Sequence, residues 1–236
     1  MIDLHSHILP GMDDGSADTE ESLWLLDELA RQGVTLVAAT PHFYATREYP
    51  EEFLRRREQS VAQLLPRIHP AHPTIRLGAE VHYFEGISRA AGLERLCVEG
   101  TPLFLLEMPY GAWSGSMVDE VLEMNRMSEV TVVLAHVERY FAYQPKRLWD
   151  DLAANGVLFQ TNAEPLTRWL KARRTLRLFR EQRIHFLGSD CHNRQERPPC
   201  LSQARARIAR TFGQELLREM DAGQNKWFTQ SEVPVG

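Results

Sequence analysis

Seven short apolar runs punctuate the chain: Met1–Leu4, Val34–Thr40, Ile75–Ala79, Leu103–Leu106, Val130–Ala135, Val157–Gln160 and Ile184–Leu187. Most are continuous instead of alternating, the pattern of a strand covered on both faces. Between them lie stretches with helical periodicity. Asp18 offers an N-cap with Glu21 three residues on, Leu23, Leu26 and Ala30 share a face, and Gly33 stands where a helix ends. Pro50 opens a second helix at its first position, and Ser116 with Asp119 a third. Pro145 to Asn155 closes at Gly156, and Thr167–Gln182 and Ser202–Phe212 are further amphipathic segments. From Gln224 the chain turns polar, and a frayed tail is expected there.

The repeated strand–helix alternation predicts an α/β fold around a parallel sheet, a single domain over residues 1–236. Periodicity alone leaves a closed barrel and an open doubly wound sheet as equal outcomes. Either way, all strand C-termini open on one face, where sites are assembled. The reactive residues fall there. His5 and His7 follow the first run, His42 the second, Glu80 the third, Glu107 the fourth, His136 the fifth, Asn162 the sixth, and Asp190 and His192 the seventh.

A lone histidine at a strand end is usually a hydrogen-bonded structural residue. A glutamate inside Leu105-Leu106-Glu107-Met108 is different, because a buried carboxylate needs a cation or a hydrogen-bond cage. The spacings His5-x-His7 and Asp190-x-His192 set paired donors on one side of an extended chain. Imidazole and carboxylate donors without a thiolate set suit Mn, Fe or Zn. Together with Asp14, these side chains suffice for two or three ions.

Composition narrows the class. Hydrophobic residues make up 43% and charged residues 25%, and the net charge of −5 argues against a nucleic-acid partner. Three cysteines, Cys97, Cys191 and Cys200, do not make a disulfide framework. The N-terminus has no basic and apolar segments of a secretion signal, and no apolar run spans a bilayer, so a cytoplasmic protein is expected. Arg55–Arg57 and Lys171–Arg174 read as solvated helical faces, and His69, His72 and His185 have no evident partner. Trp24, Trp149 and Trp169 read as core or interface.

The motifs His5-x-His7, Asp13-Asp14-Gly15, Thr40-Pro41-His42, Gly78-Ala79-Glu80, Leu106-Glu107, His136-x-Glu138-Arg139-Tyr140, Ser189-Asp190-x-His192-Asn193 and Arg197-Pro198-Pro199 occur in this order. Jointly they resemble the PHP (polymerase and histidinol phosphatase) superfamily, in particular the bacterial tyrosine-protein phosphatases of the CpsB/CapC/YwqE type. The resemblance implies a distorted (β/α)7 barrel with three divalent ions, manganese as the usual one and Fe, Zn or Mg as alternatives. It implies one ion on His5, His7, Glu80 and Asp190, a second on Asp14, His42 and His192, and a third on Glu80, Glu107 and His136. It selects Asp14 over Asp13, and it raises Arg139 and Arg197 from surface ion pairs to phosphate holders. The implied reaction is hydrolysis of phosphotyrosine by a hydroxide bridging two metals. The implied substrate is a tyrosine autokinase that drives capsule or exopolysaccharide export.

Two alternatives stand beside it. One is a small-phosphoester phosphatase, such as a histidinol-phosphate hydrolase, on the same metals. The other is a cysteine nucleophile, because Cys191 and Arg197 have the C-x5-R spacing. The intervening His-Asn-Arg-Gln-Glu has no glycine to relax a phosphate loop, which weighs against the latter.

Overall fold

The apolar runs become parallel strands because each is covered on both sides. The computed structural model describes residues 1–181 and 183–229. Five of the runs give single strands: β1 (Ile2–Ser6), β6 (Leu103–Glu107), β7 (Thr131–Leu134), β8 (Leu158–Asn162) and β9 (Phe186–Gly188). The second run is split into β2 (Leu36–Ala39) and β3 (His42–Phe43), and the third into β4 (Thr74–Leu77) and β5 (Glu80–His82). Pro41 accounts for the first break, since it has no N–H to give to a ladder.

All pairings are parallel, in the orders β1-β2-β4 and β3-β5-β6-β7-β8-β9. The last strand returns to the first. His7 N–H donates to Cys191 O at 2.9 Å and Asp190 N–H to His5 O at 2.8 Å. This contact decides between the two architectures, because an open doubly wound sheet keeps its outer strands apart. The sheet is curled into a barrel-like ring of seven chain passages. An inner cluster of Leu4, Ala38, Val98, Leu103, Leu105, Val133, Ala135 and Phe186 fills it, and a larger cluster packs between sheet and helices. On β6 the period of two carries the inward face from Leu103 and Leu105 to Glu107.

Helices α1 (Thr19–Arg31), α2 (Pro50–Leu64), α4 (Lys146–Ala154) and α7 (Leu201–Phe212) lie where the periodicity puts them. Asp18 caps α1, its Oδ1 accepting from Glu21 N–H at 2.9 Å. Three expectations need correction. Helix α3 (Gly115–Met124) is capped by Ser114, not Ser116; the Ser114 Oγ accepts from Met117 N–H, and Ser116 bonds Ser114 instead. The segment expected over Thr167–Gln182 is two helices, α5 (Glu164–Thr167) and α6 (Trp169–Arg180), because Arg168 is extended; Gln182 lies outside the described residues. The expected fraying from Gln224 does not begin there. Helix α8 (Gln214–Thr229) runs through it, Gln224 is buried and donates to His185 O at 3.0 Å, and Trp227 and Phe228 pack on the inner cluster. The residues beyond Thr229 lie outside the described part.

Candidate metal centre

The strand ends deliver the nine donors expected from sequence to one end of the ring. His5 Nε2 lies 3.2 Å from His7 Nε2 and 3.2 Å from Glu80 Oε2. His7 Nε2 is 3.4 Å from Glu80 Oε2, and Asp190 Oδ1 is 3.6 and 3.5 Å from the two imidazole nitrogens. A point equidistant from donors so spaced lies about 2.0–2.2 Å from each, the coordination distance of a divalent ion to nitrogen or oxygen. Glu80 Oε2 and His42 Nδ1 are buried and make no hydrogen bond. Donor lone pairs facing one another without a hydrogen between them require a proton or a cation at their centre.

Two further groups adjoin this one. Asp14 Oδ1 is 3.6 Å from both His42 Nε2 and His192 Nε2, with His7 beside them. His136 Nε2 is 2.8 Å from Glu80 Oε1 and 3.3 Å from Glu107 Oε1. Glu80 thus touches the first and third groups, as a bridging carboxylate does. Asp14 is 68% exposed and forms the open rim, whereas its neighbour Asp13 is turned inward onto His7.

The residues that hold the donors were mostly missed by sequence reasoning. Asp13 Oδ2 lies 2.7 Å from His7 Nδ1 and accepts from His42 N–H at 2.8 Å. Gln160 Oε1 accepts from His136 N–H at 2.7 Å and faces His5 Nδ1 at 3.3 Å. Gln160 Nε2 donates to Asn162 Oδ1, and Asn162 Nδ2 donates to Asp190 Oδ2 at 2.5 Å. Tyr140 Oη meets His136 Nδ1 at 3.2 Å, and His192 Nδ1 meets the Asp190 carbonyl at 3.0 Å. Each of these four imidazoles therefore has its Nδ1 engaged by an outer group, leaving Nε2 to face inward, as metal-binding histidines do. Asp3 clamps β1 to β9 by accepting from Ser189 N–H and Oγ–H at 2.8 and 2.6 Å. Asp3 and Gln160 each interrupt an apolar run, the same signal that singled out Glu107.

The backbone adapts to this arrangement. His136 (φ 34°) and Asp190 (φ 51°) are the non-glycine residues in the left-handed region among the described residues. Such strain concentrates at functional sites. Gly188 makes room for His5: a Cβ there would sit 2.7 Å from His5 Cβ and 2.6 Å from Gln160 Nε2.

Electrostatics follow the same geometry. Burial opposes ionisation of Glu80, but the imidazoles of His5, His136 and His42 around it hold it well below the usual carboxylate range. Asp190 is likewise held low against burial by His5 and His7. Burial would lower His136, yet hydrogen bonds to Glu107 and Glu80 raise it to about 9. These are the signs of a strongly negative pocket that attracts cations, whether protons or metal ions.

Arg139 and Arg197 stand at its edge. Their guanidinium groups reach Asp190 Oδ2 at 3.1 and 2.6 Å, and Arg197 Nη1 also meets His192 Nε2 at 2.8 Å. Both remain 38% exposed and line an open cavity of about 760 Å³. His82 edges the site through its Nδ1, 3.1 Å from Glu107 Oε2. Cys191 is different: its side chain is buried, and burial with Asp3 nearby pushes its thiol strongly up, which disfavours a nucleophilic thiolate.

Other residues read as isolated have partners. Arg57 is buried, not solvated, and donates to Gly78 O at 2.7 Å. His185 Nδ1 accepts from Phe159 N–H at 3.0 Å. His72 Nε2 and His69 Nε2 lie 3.0 and 3.8 Å from Asp27 Oδ1. Trp149 is core as expected, whereas Trp169 is exposed.

Comparison with known proteins places the chain in a family. Tyrosine-protein phosphatase CpsB of Streptococcus agalactiae serotype V is 30% identical over 231 residues, covering 93% of this chain and 94% of its own. Tyrosine-protein phosphatase YwqE of Bacillus subtilis is 28% identical, covering 92% and 87%. A structure from the set on YwqE of B. subtilis and CpsB of Streptococcus pneumoniae, described as unique metal-dependent tyrosine phosphatases, superposes with a TM-score of 0.84 at 24% identity, covering 99% of this chain and 96% of that one. The profile for "Capsular polysaccharide synthesis, CpsB/CapC" matches residues 1–226, and the chain belongs to that family.

Proposed function

We propose that this protein is a metal-dependent protein-tyrosine phosphatase with three divalent ions, manganese foremost. The observation that carries the reading is the convergence of His5, His7, Glu80 and Asp190 on one point, with Glu80 Oε2 buried and without a hydrogen bond. Asp14, His42 and His192 form the second set of ligands, and Glu80, Glu107 and His136 the third. Divalent ions held there acidify water and neutralise charge on phosphoryl oxygens. Arg139 and Arg197 bind the phosphate through paired N–H donors, orienting phosphorus over the ligand cluster. Asp13, Gln160 and Tyr140 fix the imidazoles so that their Nε2 atoms stay aimed inward. A phenol leaves with a pKa near 10, so the reaction places a modest demand on a general acid.

The names of the relatives support phosphotyrosine as the substrate and capsule synthesis as the setting. We take the partner to be a tyrosine autokinase of that machinery, met in the cytoplasm. Among the described residues no helix is long and apolar enough to cross a membrane.

The test is hydrolysis of para-nitrophenyl phosphate and a phosphotyrosine peptide after chelation, after Mn²⁺ readdition, and in Cys191→Ser. Activity lost to chelator, restored by Mn²⁺ and retained in Cys191→Ser is expected. Activity indifferent to chelator and abolished in Cys191→Ser would overturn the reading. Turnover of small phosphoesters with none on phosphotyrosine would replace it by the histidinol-phosphate-like alternative.

A further inference from the structure

The cavity beside Arg139 and Arg197 extends well past the phosphate end. Its far wall is the start of α6, where Arg168, Lys171 and Arg174 all line it. Lys171 and Arg174, three apart, are neighbours on one face of α6, and with Arg168, the extended residue just before the helix, they span about 9 Å along the axis. That distance matches roughly three residues of extended polypeptide. The wall also includes acids. Glu164 pairs with both Arg168 and Lys171, and Glu196 also lines the cavity. Glu138 is turned inward, accepting from Thr161 Oγ1 at 2.7 Å. Arg174 has no carboxylate within ion-pair distance among the described residues. Lys171 shares its single acid with Arg168. Cationic capacity is therefore left over at this end, in a cavity continuous with the phosphate-facing arginines.

We propose that this cavity is a second anion subsite, in which Lys171 and Arg174 bind an acidic group on the same polypeptide that presents the phosphorylated side chain to Arg139 and Arg197. The inference rests on the phosphatase reading above and names what its substrate carries: a carboxylate or a second phosphate a few residues from the scissile ester. A free small phosphoester reaches only the near end of the cavity and gains nothing from the far wall. Exposed charges such as these select partners and steer encounter more than they add raw affinity, and salt weakens them.

The experiment compares Mn²⁺-loaded wild type with Lys171→Glu/Arg174→Glu. The substrates are phosphotyrosine peptides with uncharged flanks, with glutamate flanks and with a second phosphotyrosine, alongside para-nitrophenyl phosphate. Both altered side chains are exposed, and para-nitrophenyl phosphate turnover reports that the phosphate end is intact. Wild type is expected to favour the anionic peptides by about tenfold in kcat/KM, chiefly through KM, and less so as salt rises. The double variant should lose that preference, with peptide losses far exceeding any change on para-nitrophenyl phosphate. Glutamate and second-phosphate peptides distinguish the two kinds of anion. No preference in wild type, or a preference that survives in the double variant, overturns the subsite while leaving the phosphatase reading intact. Failure to turn over any of the four substrates overturns both.

Discussion

Two regions of this molecule combine imidazoles with a carboxylate at nearly the same distances, and their chemistry differs. At the barrel end, His5 and His7 place Nε2 atoms 3.2 and 3.4 Å from Glu80 Oε2. On the surface, His72 and His69 place theirs 3.0 and 3.8 Å from Asp27 Oδ1. The difference lies on the far side of each ring. His7 Nδ1 faces the Asp13 carboxylate and His5 Nδ1 faces the Gln160 carbonyl oxygen; both are acceptors, so the ring hydrogen sits on Nδ1 and Nε2 offers a lone pair. His69 Nδ1 and His72 Nδ1 instead face the backbone N–H of Ala71 and His69. Those are donors, so the hydrogen sits on Nε2 and points at Asp27. The first arrangement leaves lone pairs facing a buried carboxylate, ready for a cation; in the second His72 Nε2 already hydrogen-bonds Asp27 at 3.0 Å, and His69 Nε2 stands off at 3.8 Å. Donor type and spacing do not separate them, but the outer partners do.

The comparison breaks most visibly at the shared carboxylate. Glu80→Ala removes a donor from two of the three groups. It is expected to abolish stoichiometric Mn²⁺ binding and to lower turnover of para-nitrophenyl phosphate by about 10³-fold or more. Elemental analysis of the purified variant beside its kinetics checks this. Near-normal activity with a full metal complement would show that Glu80 is not a ligand.

A smaller loss is expected from Asp13→Ala, which touches no phosphate and donates nothing to the ligand groups. Without its acceptor, His7 is free to rotate or to move its hydrogen to Nε2. Mn²⁺ affinity should fall by about 10–100-fold. Much of the activity should return when Mn²⁺ is raised, a recovery that a misfolded variant would not show. Titration of metal against activity at fixed substrate separates the two.

The same contrast explains what was legible in the sequence. Apolar runs ending in histidine or acid are local, so eight of the nine donors and the parallel sheet could be read directly, whereas Asp14 follows no run and was picked over Asp13 only by the family resemblance. Closure of the ring depends on β9 meeting β1 across most of the chain length, and periodicity carries no trace of that contact. The outer partners are equally non-local: Gln160 serves His5, and Asn162 serves Asp190. Asp3 and Gln160 did leave a mark, as polar interruptions in buried strands, but one that names no partner. Helix ends failed where side chains compete for the cap, as Ser114 and Ser116 do. Lys171 and Arg174 read as solvated and are exposed, but charge spacing on a helix is silent about the cavity they line. The C-terminal helix was undervalued because the burial of Gln224 depends on His185, nearly forty residues earlier in the chain.

The smallest effect belongs to the surface group, and it tests the tautomer argument most directly. His69→Ala/His72→Ala removes both imidazoles facing Asp27. If their Nε2 atoms carry hydrogen, the pair contributes one hydrogen bond from the buried His72 ring to the exposed Asp27 and a longer approach from exposed His69, and unfolding stability should change by about 1–2 kcal/mol. Metal content per chain and turnover should match wild type. A surplus ion in wild type, lost in this variant without loss of activity, would mean that backbone N–H groups 3.3 Å from Nδ1 are too weak to fix the tautomer. Spacing alone would then predict metal binding in this fold, and the case for Asp13 and Gln160 as orienting groups would weaken with it.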